Sequence, residues 1–445
     1  MPLDRESLEI LARALEKLDA GFAHLPEFSG PPPGSERIEK VLLTLAEKLQ
    51  DNYPYFHPLY AGQMLKPPHP VARLAYSLAM YINPNNHALD GGRATSKLEM
   101  EAVTEIAAMF GWKRFLGHLC GGGTMANLEA LWVAGQLHPE KKIVASDQAH
   151  YTHERISGVL QLPFEKVGCD ERGRMDLNAL EKLLGDGKVG TVVATLGTTA
   201  TGSVDPLPEI LKLRERFGFR VHVDGAYGGY FVLASNLEEG TAQKFARIGE
   251  ADSIVIDPHK HGLQPYGCGC VLFRDPALGR LYKHDSPFTY FSSRELHLGE
   301  ISLECSRPGA AAAALWATQK LLPLVRGGEF AIGLAEGREA ALRLFRAIGG
   351  GGKFNAAFEP ELDILVYVPK GDSIAEISAG SRRIFEATAR DGLHLAVAEL
   401  PVKFWPSLKP EVGQETVTCL RSVLMKPEHL KWLGQIVELL NAAAG

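Results

Sequence analysis

Five short β-branched runs, separated by helical stretches, set the strongest limit on how this chain can fold. They occupy residues 142–145, 189–196, 220–223, 253–256 and 269–273 and are rich in valine and isoleucine. β-Branched residues favour strands, and strands alternating with helices build a parallel sheet covered on both faces. The expected fold is therefore α/β, with a mostly parallel central sheet and helices on both sides. Helical patterns at 71–82 and 97–110 precede the runs, and an Ala-rich helix at 309–324 leads away from them. From about residue 331, helical patterns at 331–348 and 372–390 alternate with apolar runs at 364–368 and 415–424. This predicts a smaller C-terminal α+β domain with antiparallel strands, in which the glycines at 349–352 form a flexible turn. At the other end, an amphipathic helix over 3–19 and a second one ending near 49 flank a Gly-Pro-Pro-Pro-Gly segment. The resulting division is an N-terminal helical and dimer-contact segment at 1–82, a large domain at 83–330 and a small domain at 331–445.

A chain of 445 residues can bury a sizeable core in more than one domain. With 47 basic and 53 acidic residues, its formal charge of −6 gives no overall basic footprint for nucleic acid. No stretch approaches the roughly 18 apolar residues of a membrane span, and the acidic start lacks the basic region of a secretory signal. The expectation is a cytoplasmic protein. Six cysteines are too few for a disulfide scaffold in a chain this long, and Cys268-Gly269-Cys270 lacks the spacing of a zinc hairpin.

The runs end in residues that carry chemistry, at the strand ends where open α/β sheets bind ligands. Gly121-Gly122-Gly123-Thr124 opens a helical run. Glycines let backbone amides approach an anion, and the helix N-terminus adds partial positive charge. The turn suits either a small phosphate or an ordinary helix entry. It has neither P-loop nor dinucleotide-turn spacing. His150 follows the first run and would stack on a flat ring or serve a structural role. With His153 it would make a metal site only given a third ligand, which the sequence does not identify. Thr198 follows the second run and would line a ligand site or cap backbone groups. Asp224 ends the third. A carboxylate buried there needs a donor, which a protonated pyridine nitrogen or the N–H groups of a helix start would supply. Ala226 leaves room for a flat ring. Lys260 follows the fourth run, in Asp257-Pro258-His259-Lys260. Phosphate cradle, stacking histidine, carboxylate and amine together suggest pyridoxal 5'-phosphate (PLP) held by Lys260 as a Schiff base.

The same segments resemble the group II PLP-dependent amino-acid decarboxylases, from about His57 to the C-terminus. The resemblance is carried by Gly122-Gly123-Thr124-Met125-Ala126-Asn127-Leu128, Ala149-His150-Tyr151, Gly197-Thr198-Thr199, Val223-Asp224-Gly225-Ala226-Tyr227 and Asp257-Pro258-His259-Lys260. It implies the PLP-dependent transferase fold type I. It also implies that Gly123 and Thr124 contact the phosphate, His150 stacks on the ring, Thr198 lines the site and Asp224 meets the pyridine nitrogen. Ala226 would underlie the ring, His259 would lie near the phosphate, and Lys260 would bind the cofactor covalently. Tyr290, with Tyr282 nearby, matches the loop tyrosine that assists protonation, and Arg421 matches an arginine facing the substrate carboxylate, its other role being an interdomain salt bridge. The family is usually a homodimer with composite sites, so the segment at 306–309 would approach the other subunit's cofactor.

Two departures bear on the substrate: Met125 where the family often has an acid, and His261 where it often has an aromatic residue. The second pattern is similar to archaeal-type tyrosine or aspartate decarboxylases and, more distantly, to sphingosine-phosphate lyase. The expected activity is decarboxylation of an L-amino acid to an amine. His57 and Arg93 near the entrance would favour an acidic side chain slightly; Phe288, Tyr290 and Phe291 would favour an aromatic one. Carbon–carbon cleavage of a phosphorylated amino alcohol is the alternative reaction, and a non-enzymatic binding protein the alternative class.

Overall fold

The computed structural model describes residues 5–26, 34–283, 301–350, 352–409 and 412–445. Its centre is a seven-stranded sheet of β1 (Leu116–Cys120), β2 (Lys142–Ser146), β3 (Phe164–Val167), β4 (Val189–Thr195), β5 (Arg220–Asp224), β6 (Ser253–Ile256) and β7 (Gly269–Phe273). The order is β1-β7-β6-β5-β4-β2-β3. β3, β2, β4, β5 and β6 run parallel, and β7 lies antiparallel between β6 and β1. Every residue of β4, β6 and β7 is buried. Covered on both faces, these strands are dominated by apolar and β-branched residues, with Thr191, Thr195 and Ser253 buried among them. Neighbours on β4 serve opposite faces: Val192 packs with Ile106, Val221 and Ile254, and Val193 with Leu131, Ile143 and Ile156. Burying each such side chain stabilises the fold by about 1.5–3 kcal/mol.

The second sheet comprises β8 (Phe354–Ala356), β9 (Ile364–Pro369), β10 (Ala396–Pro401) and β11 (Thr416–Val423) in the order β10-β11-β9-β8, antiparallel throughout. The helices Glu329–Gly350, Ile374–Arg390 and His429–Ala443 accompany it. The flexible turn expected at 349–352 begins later than the sequence suggests, because the first of these helices runs on through Gly350. Leu344 and Ile348 are buried together with Phe354 in the core beneath the second sheet, which holds the last turns in place despite the glycines. The left-handed backbone that needs glycine comes at Gly352, with a φ of 74°.

At the N-terminus, the amphipathic helices Arg5–Ala20 and Ser35–Leu49 contain no buried residue within the single chain. Leu8, Val41, Leu42 and Leu43 are exposed there. No helix among the described residues is long and apolar enough to cross a membrane.

Candidate active site

The strands β1 to β6 all run the same way, and the segments leaving the carboxyl ends of β1, β2, β4, β5 and β6 line a cavity of about 510 Å³. After β1 comes the glycine turn. Gly122 has a φ of 138°, which residues with a side chain rarely adopt, and it opens the helix Gly123–Leu137 without a side-chain cap. The first amides of a helix have no intrahelical acceptor, and here they belong to residues that line the cavity. A Cβ on Gly123 would lie 2.6 Å from Asp257 Oδ2, so a side chain here would displace Asp257.

Past β2, His150 lines the cavity and shares a hydrogen bond of 2.9 Å with the Thr152 hydroxyl. His153, fully buried on the next helix, lies with Nε2 2.8 Å from Asp224 Oδ2. That pairing answers the metal question for His153: its ring serves the carboxylate. The Ala226 amide donates to the other oxygen of Asp224, Oδ1, at 3.1 Å. Burial pushes the Asp224 carboxyl up, but the bond and field of His153 and the Ala226 amide outweigh it. The group is held well below the usual carboxylate range. Asp224 therefore remains an anion inside the protein.

Beyond β6, Lys260 Nζ stands 3.1 Å from Asp257 Oδ2, and His259 Nε2 lies 3.5 Å from the same oxygen. His259 packs on Tyr266 with ring centroids 4.9 Å apart. Burial lowers the basicity of both His150 and His259, favouring neutral rings. Asp257 Oδ1 and His259 Nδ1, both on cavity-lining residues, have no hydrogen-bond partner among the described residues.

Gly123, Thr124, His150, Asp224, Ala226, His259 and Lys260 thus come together as the sequence suggests. Thr198 does not line the cavity, which is bordered instead by Gly197 and Thr199. Its hydroxyl turns into a buried network, 2.8 Å from the Thr201 hydroxyl and accepting from the Ser203 amide. His57 also lies off the cavity, edge-on to Trp432 at 4.7 Å, with Nδ1 accepting from the Leu59 amide. Arg421 is buried on β11 and donates to the carbonyls of Thr199, Ala200 and Gly62 and to Gln63 Oε1. It joins the two sheets and the N-terminal segment through carbonyls, where a salt bridge was the structural expectation. Arg307 is likewise consumed, donating to Glu99 and to the Leu119 and Asn86 carbonyls. Tyr282 is buried against Trp132, away from the cavity. Tyr290, Phe288 and Phe291 lie outside the described residues.

Three residues have roles in the site that sequence reasoning missed. Asp257 stood in plain view beside Lys260. His153 had the signal of its spacing from His150, but its partner is 71 positions away. Glu304, which accepts a hydrogen bond from the Gly121 amide at 2.9 Å, had no local signal.

Residues 124–324 match the pyridoxal-dependent decarboxylase conserved domain. A probable L-tyrosine/L-aspartate decarboxylase of Methanospirillum hungatei is 30% identical, over 64% of this chain and 74% of that protein. The chain belongs to the group II PLP-dependent decarboxylase family. An L-tyrosine decarboxylase of Enterococcus faecium is 32% identical, the match covering 60% of each chain. The family fold extends over almost the whole molecule: mouse CSAD in apo form superposes with a TM-score of 0.77 at 21% identity, covering 98% of this chain and 99% of the other. Oryza sativa TDC, solved with PLP and tryptamine, gives 0.78 at 15% identity with full coverage of both. These likenesses establish the fold type I decarboxylase architecture.

Proposed function

We propose that this protein decarboxylates an L-amino acid to an amine and carbon dioxide with PLP as cofactor. The observation that carries the reading is the convergence of Lys260, an ionised Asp224 and the glycine turn on one cavity. The donor set fits the cofactor. Lys260 offers an amine for its carbonyl carbon, Asp224 an anion for its pyridine N–H, and the helix start amides for its phosphate. The orphaned atoms of Asp257 and His259 and the side-chain-free surface of Gly122 and Gly123 fit it too. Bound there, PLP supplies an electron sink conjugated with the substrate's α-carbon.

The chain's own residues then have defined tasks. Gly123 and Thr124 would bind the phosphate, with His259 beside it. His150 would cover one face of the ring and Ala226 the other. Asp224, held by His153, would keep the pyridine nitrogen protonated. Asp257, 3.1 Å from Lys260 Nζ, would orient the amine. Tyr290 would deliver the proton that replaces the carboxylate on the α-carbon, with His150 as the second candidate donor. Thr198 would act from behind the cavity wall, and Arg421 would fix the loop carrying Thr199 instead of meeting the substrate carboxylate.

For the side chain of the substrate, the described lining carries Asp224, Asp257 and Glu304 against Lys260 as its only lysine or arginine. Arg93 is exposed at a helix start and His57 is turned elsewhere, so the slight acidic preference expected from them loses its support. Tyrosine and aspartate, named together for the archaeal relative, are the first pair to compare. A homodimer with composite sites is part of the same proposal, supported by the two N-terminal helices, which contain no fully buried residue within one chain.

The test is a panel assay for carbon dioxide and amine with tyrosine, aspartate, glutamate, cysteine sulfinate, tryptophan and diaminobutyrate. Release from at least one is expected. Turnover of none by PLP-loaded protein, with cleavage of a phosphorylated amino alcohol instead, would overturn the proposal.

A further inference from the structure

The glycine turn already holds an anion supplied by the chain itself. Glu304 lines the cavity, and its Oε2 accepts from the Gly121 N–H at 2.9 Å. The carboxylate packs directly over this glycine, since a Cβ on residue 121 would lie 3.0 Å from Glu304 Oε1. The carboxylate is also delivered there by a segment clamped on both sides. Upstream, Ile301 is buried in the cluster that contains Leu116 and Phe273. Downstream, Arg307 donates to the Leu119 carbonyl and to Glu99, and Glu99 accepts from the Leu119 amide. Leu119 lies two residues before Gly121, so the strap is fastened to the base of the turn its carboxylate contacts. Between the clamps, Leu303 and Cys305 are exposed and the Glu304 amide donates to Ser302 Oγ.

We propose that Glu304 is an internal competitor of the PLP phosphate: its carboxylate occupies the edge of the phosphate cradle and must rotate away, or stay as a repelling like charge, whenever the cofactor binds. Two anions on one turn repel, and in a partly desolvated site that repulsion is weakly screened. Because the strap is clamped, the displacement is confined to the Glu304 side chain. The function is control of cofactor residence: the carboxylate balances the turn's partial positive charge in the apoprotein and hastens departure of the phosphate.

This inference rests on the PLP reading, and its test separates the two. Apoprotein would be titrated with PLP, following the absorbance of the lysine-bound cofactor, and separately with pyridoxal, which lacks the phosphate. Glu304→Gln should bind PLP about tenfold more tightly than the unsubstituted protein, with slower release into a PLP scavenger, and should bind pyridoxal unchanged. Glu304→Ala, which removes the side chain's acceptor as well as its charge, should show the same selective gain and serves if the glutamine variant fails to fold. Equal or weaker PLP affinity in the variants, or an equal gain for pyridoxal, would overturn the role of Glu304. Failure of the unsubstituted protein to form the chromophore at all would instead refute the PLP reading.

Discussion

His153→Leu should expose how much the site depends on a residue that does not itself line the cavity. Asp224 is buried and has two protein donors, His153 Nε2 at 2.8 Å and the Ala226 amide at 3.1 Å. Leucine fills much of the ring's volume but removes the shorter bond and leaves an oxygen of a buried anion without its donor. A hydrogen bond to a charged group contributes about 1.5–3 kcal/mol, so the apoprotein should lose about 2–3 kcal/mol of stability at about pH 7. The pH dependence has a definite sign. The folded carboxyl lies below its unfolded value of about 3.9, so its contribution is present above that pH and is lost as pH falls through the folded value. In His153→Leu the folded value rises, and the gap between the two proteins should narrow on acidification below about pH 4. His153→Gln, whose side-chain N–H reaches a similar position, should recover at least half of the loss. Urea unfolding of the apoproteins measures all three quantities. A leucine variant as stable as the parent, or a glutamine variant no better than leucine, would falsify the reasoning.

Other perturbations reach the site from different sides. Gly123→Ala places a methyl 2.6 Å from Asp257 Oδ2, so Asp257 must move off Lys260; PLP affinity by absorbance titration should fall at least about tenfold, on the order of 1.4 kcal/mol. Lys260→Ala should abolish the lysine-bound chromophore, and survival of the same covalent adduct would rule out the assigned role. Asp363 accepts from the Tyr227 hydroxyl at 2.6 Å and lies 3.3 Å from His261; burial raises its carboxyl to about 6 against that bond and the charge of Lys66. An acid raised in the folded state favours folding most below its unfolded value and loses that advantage as pH rises through about 6. Asp363→Asn should therefore flatten the stability profile between about pH 4 and about pH 7, by at most about 3 kcal/mol, as read by urea unfolding across that range.

The sequence discloses β4, β6 and β7 as short runs dominated by β-branched and apolar residues, and β5 by Val221 and Val223, which alternate with Arg220, His222 and Asp224. It conceals β1, whose Leu-Gly-His-Leu-Cys mixes glycine and histidine into a strand. The polar member is tolerated because Glu129, buried on the following helix, lies 2.9 Å from His118 Nε2. It conceals β3 as well, an edge strand in which Glu165 and Lys166 interrupt the apolar pattern. In the site, residues on strand ends are legible because the fold class says where strand ends go. Partnerships are not: the Arg421 guanidinium and the His153 ring are each committed to groups that only tertiary packing brings near. Thr198 finds its partners within five positions, yet the direction of its hydroxyl depends on a turn in which Gly197 takes a φ of 100°.

The antiparallel insertion of β7 has a consequence for how the protein comes into being. Among the described residues β1 pairs with no strand but β7, and the two are separated by about 150 residues of chain. A Cβ on Gly269, the first residue of β7, would lie 2.5 Å from Gly122 Cα, so the late strand forms the back wall of the early turn. A nascent chain emerging from the ribosome therefore carries the glycine turn, His150, His153 and Asp224 well before it can seat them. Loop closure over such a span is slow, and an unpaired strand edge is exposed meanwhile. Acquisition of the cofactor would then mark the end of synthesis of the large sheet, and a chain truncated before residue 269 should be captured by chaperones rather than by PLP.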